Sequence, residues 1–463
     1  MTAIQLFFAI SLPWASGVVL VCYLCHLQRE WLPKSMIAGY GYLLGMVLTT
    51  LIMRVVPLSA NFISTVLILL CCYPATVLWQ QSTVTKSKLI PSIQFNQPTF
   101  NWSLIVVVGI VGLITLHLYL LAIDIILRPL FAWDAWATWS VKARTWFELK
   151  QMVAFVDRST WLNQMGHSAH VLEAWHYPDT VPLIQTWVAL MLNQWDDTLI
   201  NLPWLFCFIA LGLGFYGHVR LLQIPNMVKL ISVYLLISLP LLNAHVAVAG
   251  YADLWLCTAF TFLTLTLIQN MISQSSTQVI LAVLLAVCVV LIKIEGIVLL
   301  LTLIPMCLAM KLSSAVLTRL TFICVAIIIG LAAILYAFSP IQVNLPYLGE
   351  FVIAYHSVWA ALVTNYFELP VWNLLCYLIV IGLIFATFAP SLSAQQRKLA
   401  LILPVSLIGY LFVLFFLTQN YSWVEQYSSI NRITLHLLPS IIFCLLIVFD
   451  ERLHNRHLLS KTT

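Results

Sequence analysis

The residues of this sequence that could do chemistry fall into three groups: an acid set among tryptophans, a run of histidines and a glutamate three apart, and single charges beside apolar runs. The first group lies in Arg128-Pro-Leu-Phe-Ala-Trp133-Asp134-Ala-Trp136-Ala-Thr138-Trp139-Ser-Val-Lys142-Ala-Arg144-Thr-Trp146-Phe-Glu148. Read as a helix, it puts Trp136, Trp139 and Trp146 on one side and Asp134, Thr138 and Lys142 on another. Tryptophan and lysine at such spacing suit a helix lying flat at a membrane interface. A plain anchor, however, does not account for Asp134 between Trp133 and Trp136. A carboxylate in a poorly hydrated, aromatic setting ionises at a cost, which suits a group that accepts a proton.

The second group is His167, His170, Glu173 and His176, followed by Tyr177-Pro178-Asp179. A constant spacing of three would place the four on one helical face, as zinc ligands are often placed. No strict His-Glu-x-x-His occurs, and the Tyr177-Pro178 step ends a helix. A divalent metal, substrate hydrogen bonding and ordinary loop packing therefore all remain as alternatives. The third group is Asp253 in Gly250-Tyr-Ala-Asp253, Lys293-Ile-Glu295-Gly296, and Arg432 in Asn431-Arg432-Ile-Thr-Leu-His436. Charges near membrane depth are costly unless paired or functional. Lys293 and Glu295 can pair with each other. Arg432 has no acid close to it in sequence, so an external anion is a natural counter-charge.

The elements that position these groups follow from composition. The chain has 463 residues, 62% of them hydrophobic and only 8% charged, with a mean hydropathy of +1.00. Soluble domains are about a quarter charged. Apolar runs long enough to cross a ~30 Å hydrocarbon core recur along the chain. They predict an all-α integral membrane protein with about 13 spans, at 4–26, 36–56, 60–80, 102–127, 198–221, 227–245, 253–272, 276–292, 297–311, 317–338, 371–390, 399–418 and 432–449. The first run lacks a basic lead and a small-residue cleavage site, so it is expected to be a span and not a removed signal. All 11 cysteines lie in apolar runs, which suggests neither a disulfide framework nor a thiolate metal site.

Basic residues set the expected orientation. With an odd number of spans and the N-terminus outside, 13 of the 21 lysines and arginines fall on the cytoplasmic side, while 12 of the 16 carboxylates fall on the other or at its interface. The protein is expected in the plasma or inner membrane with its working face non-cytoplasmic. Residues 1–100 read as three N-terminal spans without chemistry, and 101–463 as a catalytic core with an outer loop of interfacial helices over 128–197.

The order of these pieces from 128 to 311 resembles the polytopic C-type glycosyltransferases, the group that includes protein O-mannosyltransferases and the lipid A aminoarabinose transferase. The residues that carry the likeness are Asp134, then His176-Tyr-Pro-Asp-Thr-Val-Pro-Leu183, Asp196-Asp-Thr-Leu-Ile-Asn-Leu-Pro203, Tyr251-Ala-Asp253-Leu and Lys293-Ile-Glu-Gly296, with Arg432 ahead of Pro439. There are departures. No second acid adjoins Asp134, the prolines at 178 and 182 are spaced apart, Glu295 is extra, and three spans come first.

The resemblance implies transfer of a sugar from a polyprenyl-phosphate donor, a membrane lipid, to a glycolipid, glycan or protein acceptor. It implies Asp134 as catalytic base and Arg432, Lys293 and Lys142 as cations for the donor phosphate. His176, Asp179, Asp253, Glu295 and Trp136 would contact substrate. A transporter or lipid flippase is the alternative from another class. Against it, transporters place ionisable groups at the bilayer midplane, where apart from His117 and Asp124 of the fourth span none is expected, and no equal repeat is visible. No phosphate-cradling glycine loop occurs, and no nucleic-acid partner is expected.

Overall fold

In lipid a backbone must satisfy its own hydrogen bonds, so the apolar runs become helices. The computed structural model describes residues 2–85, 102–163, 169–313, 341–345 and 349–451, with isolated positions at 316–340 and 453. Helices dominate, and the only strands among the described residues are two short pairs. The chain forms two compact units: Met1–Leu221 with Pro225–Ser238 and Leu242–Ile297, and Val298–Thr463 with Leu222–Ile224 and Leu239–Leu241.

The first unit contains α1 (Thr2–Gln28), α2 (Lys34–Met53), α3 (Ala60–Thr85), α4 (Trp102–Leu127), α5 (Ser140–Leu149), α6 (Arg158–Asn163) and α7 (Thr180–Leu192). It continues with α8 (Leu202–Leu221), α9 (Asn226–Ile237), α10 (Pro240–Ala247), α11 (Asp253–Ser273) and α12 (Ser276–Ile292), and α13 (Glu295–Lys311) begins in it. Small residues let α1 and α2 meet backbone to backbone: a Cβ on Gly17 would collide with the Gly41 carbonyl. Both helices also pack on α7, where the Trp187 indole donates to the Ala9 carbonyl at 2.8 Å. α1, α2 and α3 belong to the same compact unit as the loop after α4.

Eight described helices are long and apolar enough to span a membrane, not 13. A ninth arises if α9 and α10, bent by 53° at their junction, form one broken span. The bend falls where Pro240 has no N–H to donate and disfavours helix at the residue before it. α12 and α13 have 17 residues each and Leu375–Phe388 has 14, short of the roughly 20 a span needs. The expected span 317–338 lies largely outside the described residues. α7, expected in a loop of interfacial helices, is instead buried nearly all round.

Two polar contacts tie the helix ends together. Beyond α1, the Glu30 carboxylate accepts from Ser275 Oγ and from the backbone N–H groups of Ser276 (3.1 Å) and Thr277 (3.0 Å), capping α12. At the other end of α12, Lys293 reaches Asp253 at the start of α11. The N-terminal end of α11 and the C-terminal end of α12 therefore share one face of the unit.

In the second unit, Ile341–Leu345 pairs antiparallel with Gly349–Ile353. A capping box of Ser393 and Gln396 starts Ala394–Phe416. Val358, Phe415, Phe416, Val424 and Ile430 form a buried cluster beside Ser429–Ile447, the helix that carries Arg432.

Candidate functional site

Asp134 follows α4 and precedes a single π-helical turn, Ala135–Trp139, which leads into α5. That wider turn breaks the register a continuous α-helix would have. Trp139 and Trp146 are buried, but Trp136 is 45% exposed and packs edge-on against exposed Trp133. Asp134 is half-buried beside this aromatic pair. The three tryptophans therefore do not share one side.

Lys142 does not point to an interface. It is 3% exposed, and its ammonium donates to the carbonyls of Trp175 and Tyr177 (2.9 Å each) and to Asp179 Oδ1 (3.2 Å). Burial pushes this ammonium below its ordinary range, Asp179 draws it back up, and nearby Arg54 lowers it further. The three contacts pin the loop ahead of α7, and the ring of Tyr177 lies 5.1 Å from Trp139.

A chain of polar contacts continues from there. Tyr177 OH donates to Glu295 Oε1 at 3.1 Å, and Lys293 Nζ lies 3.3 Å from the same oxygen and 3.1 Å from Asp253 Oδ1. Asp253 is fully buried in the first turn of α11, where the helix dipole favours a carboxylate. Thr180 Oγ1 donates to the Leu291 carbonyl at 2.7 Å and accepts from Arg54 at 3.3 Å. Gly250 closes the assembly against the Asp134 turn. Its φ is +106°, and a Cβ there would stand 2.5 Å from the Cβ of Ala135.

The structure thus brings together Lys142, Asp179, Glu295, Lys293 and Asp253, and sets the Asp134 turn on the loop just before Asp253. Lys293 and Glu295 do pair with each other, but Asp253 joins them. Arg54, Tyr177 and Thr180 were missed. Arg54 closes an early apolar run without an acid nearby, so only its place as a lone charge at a helix end could have flagged it.

The histidine group does not form a helical face. His170 sits in a two-residue strand (His170–Val171) paired with Phe155–Val156, and Glu173 and His176 fall in turns. His176 is exposed and stacks on Tyr177 at 4.8 Å. His167 lies outside the described residues. Among those described, no group of three or more His, Cys, Asp or Glu side chains is arranged to hold a metal. Arg432 is half-buried on the second unit.

This architecture is that of an all-helical, multi-pass membrane protein with a charged, hydrogen-bonded network at one end of its first unit. No protein-family model, curated protein or solved structure matches the chain.

Proposed function

We propose that the protein is a membrane glycosyltransferase that moves a sugar from a polyprenyl-phosphate donor to an acceptor at the non-cytoplasmic face. The observation that carries this proposal is the convergence of the Asp134 turn with the Lys142–Asp179 and Asp253–Lys293–Glu295 contacts. A displacement at an anomeric carbon needs a base for the acceptor hydroxyl and positive charge for the departing phosphate. Asp134 is the base. Lys142 and Lys293 already have their charges matched by carboxylates, so their part is to hold the loops around Asp134. Arg432, on the second unit, is tested on its own, as the cation that the resemblance gives to the donor phosphate. Asp179, Asp253 and Glu295 position those lysines, and His176 and Trp136 face substrate. Counting α12, α13 and Leu375–Phe388 as crossings with the eight long helices and the α9–α10 pair gives twelve of the 13 proposed; the other, 317–338, lies largely outside the described residues.

The direct test supplies the purified full chain with a polyprenyl-phosphate sugar and follows release of polyprenyl phosphate. No consumption with any donor sugar, together with lipid movement across a vesicle, would instead establish the flippase alternative. Arg432→Ala should raise the donor KM about 10–100-fold, the worth of a charge-assisted hydrogen bond, and change kcat less. An unchanged KM would release Arg432 from the phosphate.

The face is tested separately. A cysteine placed at exposed Asn163 should react with a membrane-impermeant maleimide in intact cells, while one at Ser391 should react only after lysis, with unsubstituted protein giving the background. The reverse pattern inverts the orientation.

A further inference from the structure

α5 has a second working face. Lys142, Ala143 and Trp146 are turned inward, while Val141, Arg144, Thr145 and Glu148 line a cavity of about 570 Å³ on its other side. Trp136, His170, Trp195 and Asp197 also stand in the wall. Trp195 is held in place: its indole N–H donates to Asp197 Oδ1 at 2.6 Å, its ring lies 6.3 Å from Phe147, and the Arg144 guanidinium stands 6.0 Å over it. None of this is used by the ion network on the inward face.

We infer that this cavity is a saccharide-binding subsite, and that, given the transferase proposed above, it receives the acceptor as a neutral or aminated sugar. Indole faces offer apolar area to the C–H side of a pyranose, while planar guanidinium and carboxylate groups engage vicinal hydroxyls from the edges. The volume is within the ~300–1,000 Å³ of small-molecule sites, so one to a few sugar rings fit. Charge narrows the class. Two carboxylates, Glu148 and Asp197, face a single guanidinium, Arg144, so an acidic sugar or a phosphate meets repulsion and an amino sugar meets attraction.

The test uses the full chain in lipid nanodiscs without donor and saturation-transfer NMR. The probes are maltotriose, chitosan trisaccharide, trigalacturonate and an unglycosylated Ser/Thr-rich peptide. Maltotriose or the chitosan trisaccharide should receive saturation. Their affinity should fall about tenfold or more in Trp195→Ala, and also in Trp136→Ala and Arg144→Gln, whose side chains are exposed and do not support the fold. Trigalacturonate should stay silent. The inference is overturned if neither sugar binds, if binding survives Trp136→Ala and Arg144→Gln unchanged, if trigalacturonate binds best, or if the peptide takes the same residues. Binding is also measured in Asp134→Asn, where it should persist. Sugars that bind to a protein that never consumes donor would sink the transferase proposal and keep the cavity. Donor turnover without sugar binding would do the opposite.

Discussion

Asp134→Asn should lower sugar transfer by ~10²–10⁴-fold at saturating donor, the usual contribution of a general base, and leave membrane abundance unchanged. Asparagine keeps the size and much of the hydrogen bonding of aspartate but cannot accept a proton. Asp134 is half-buried before the π turn, beside the Trp133–Trp136 pair, where an amide of the same size fits. Folding should therefore be separable from chemistry here. The measurement is initial rate of polyprenyl-phosphate release against wild type at equal protein. Turnover within a few-fold of wild type would remove Asp134 from the mechanism and pass the role to Asp179 or Glu173.

Lys293→Met should behave in the opposite way, as a defect of stability first. It takes the ammonium away from the fully buried Asp253 carboxylate, and removing one partner of a buried ion pair costs roughly 3–5 kcal/mol. The double change Asp253→Leu with Lys293→Met should recover much of that loss, because it removes both charges together. Glu295→Gln should cost far less, since Glu295 is 39% exposed on its side chain and water screens it. Apparent melting temperature and yield in detergent read all three. A single Lys293→Met as stable as wild type would show that the pair does not hold the α11 and α12 ends together.

These two outcomes separate what could be seen in the sequence from what could not. The membrane class follows from hydropathy alone, because lipid leaves helix as the answer for every long apolar run. Span number is harder to read, because hydropathy measures apolar length and not whether a helix is broken, as at Pro240, or short, as α12 is. Asp134, Asp253 and Lys293 stood out as charges where charge is expensive. Their partners were partly hidden: Lys293 with Glu295 is a local pair, but Asp253 lies 40 residues away. The same holds for Lys142 and Asp179, 37 apart, which only the packing of α5 on α7 brings within 3.2 Å. The histidine spacing misled because a period of three means a helical face only where a helix forms. There the chain instead makes a strand and turns ahead of Pro178.

The π turn at Ala135–Trp139 has a consequence for how this region tolerates change. Each residue of an α-helix advances the side chains by about 100° around the axis. A π turn, with its wider i→i+5 bonds, takes up one extra residue and leaves the winding on either side nearly in phase. Deleting one residue from it would restore regular winding with Lys142 still turned to its three acceptors and Arg144 and Glu148 to the cavity. The same deletion within α5 has no such slack and would swing every later side chain by that angle. Loss of a single codon should therefore be survivable along 135–139 and not along 141–147.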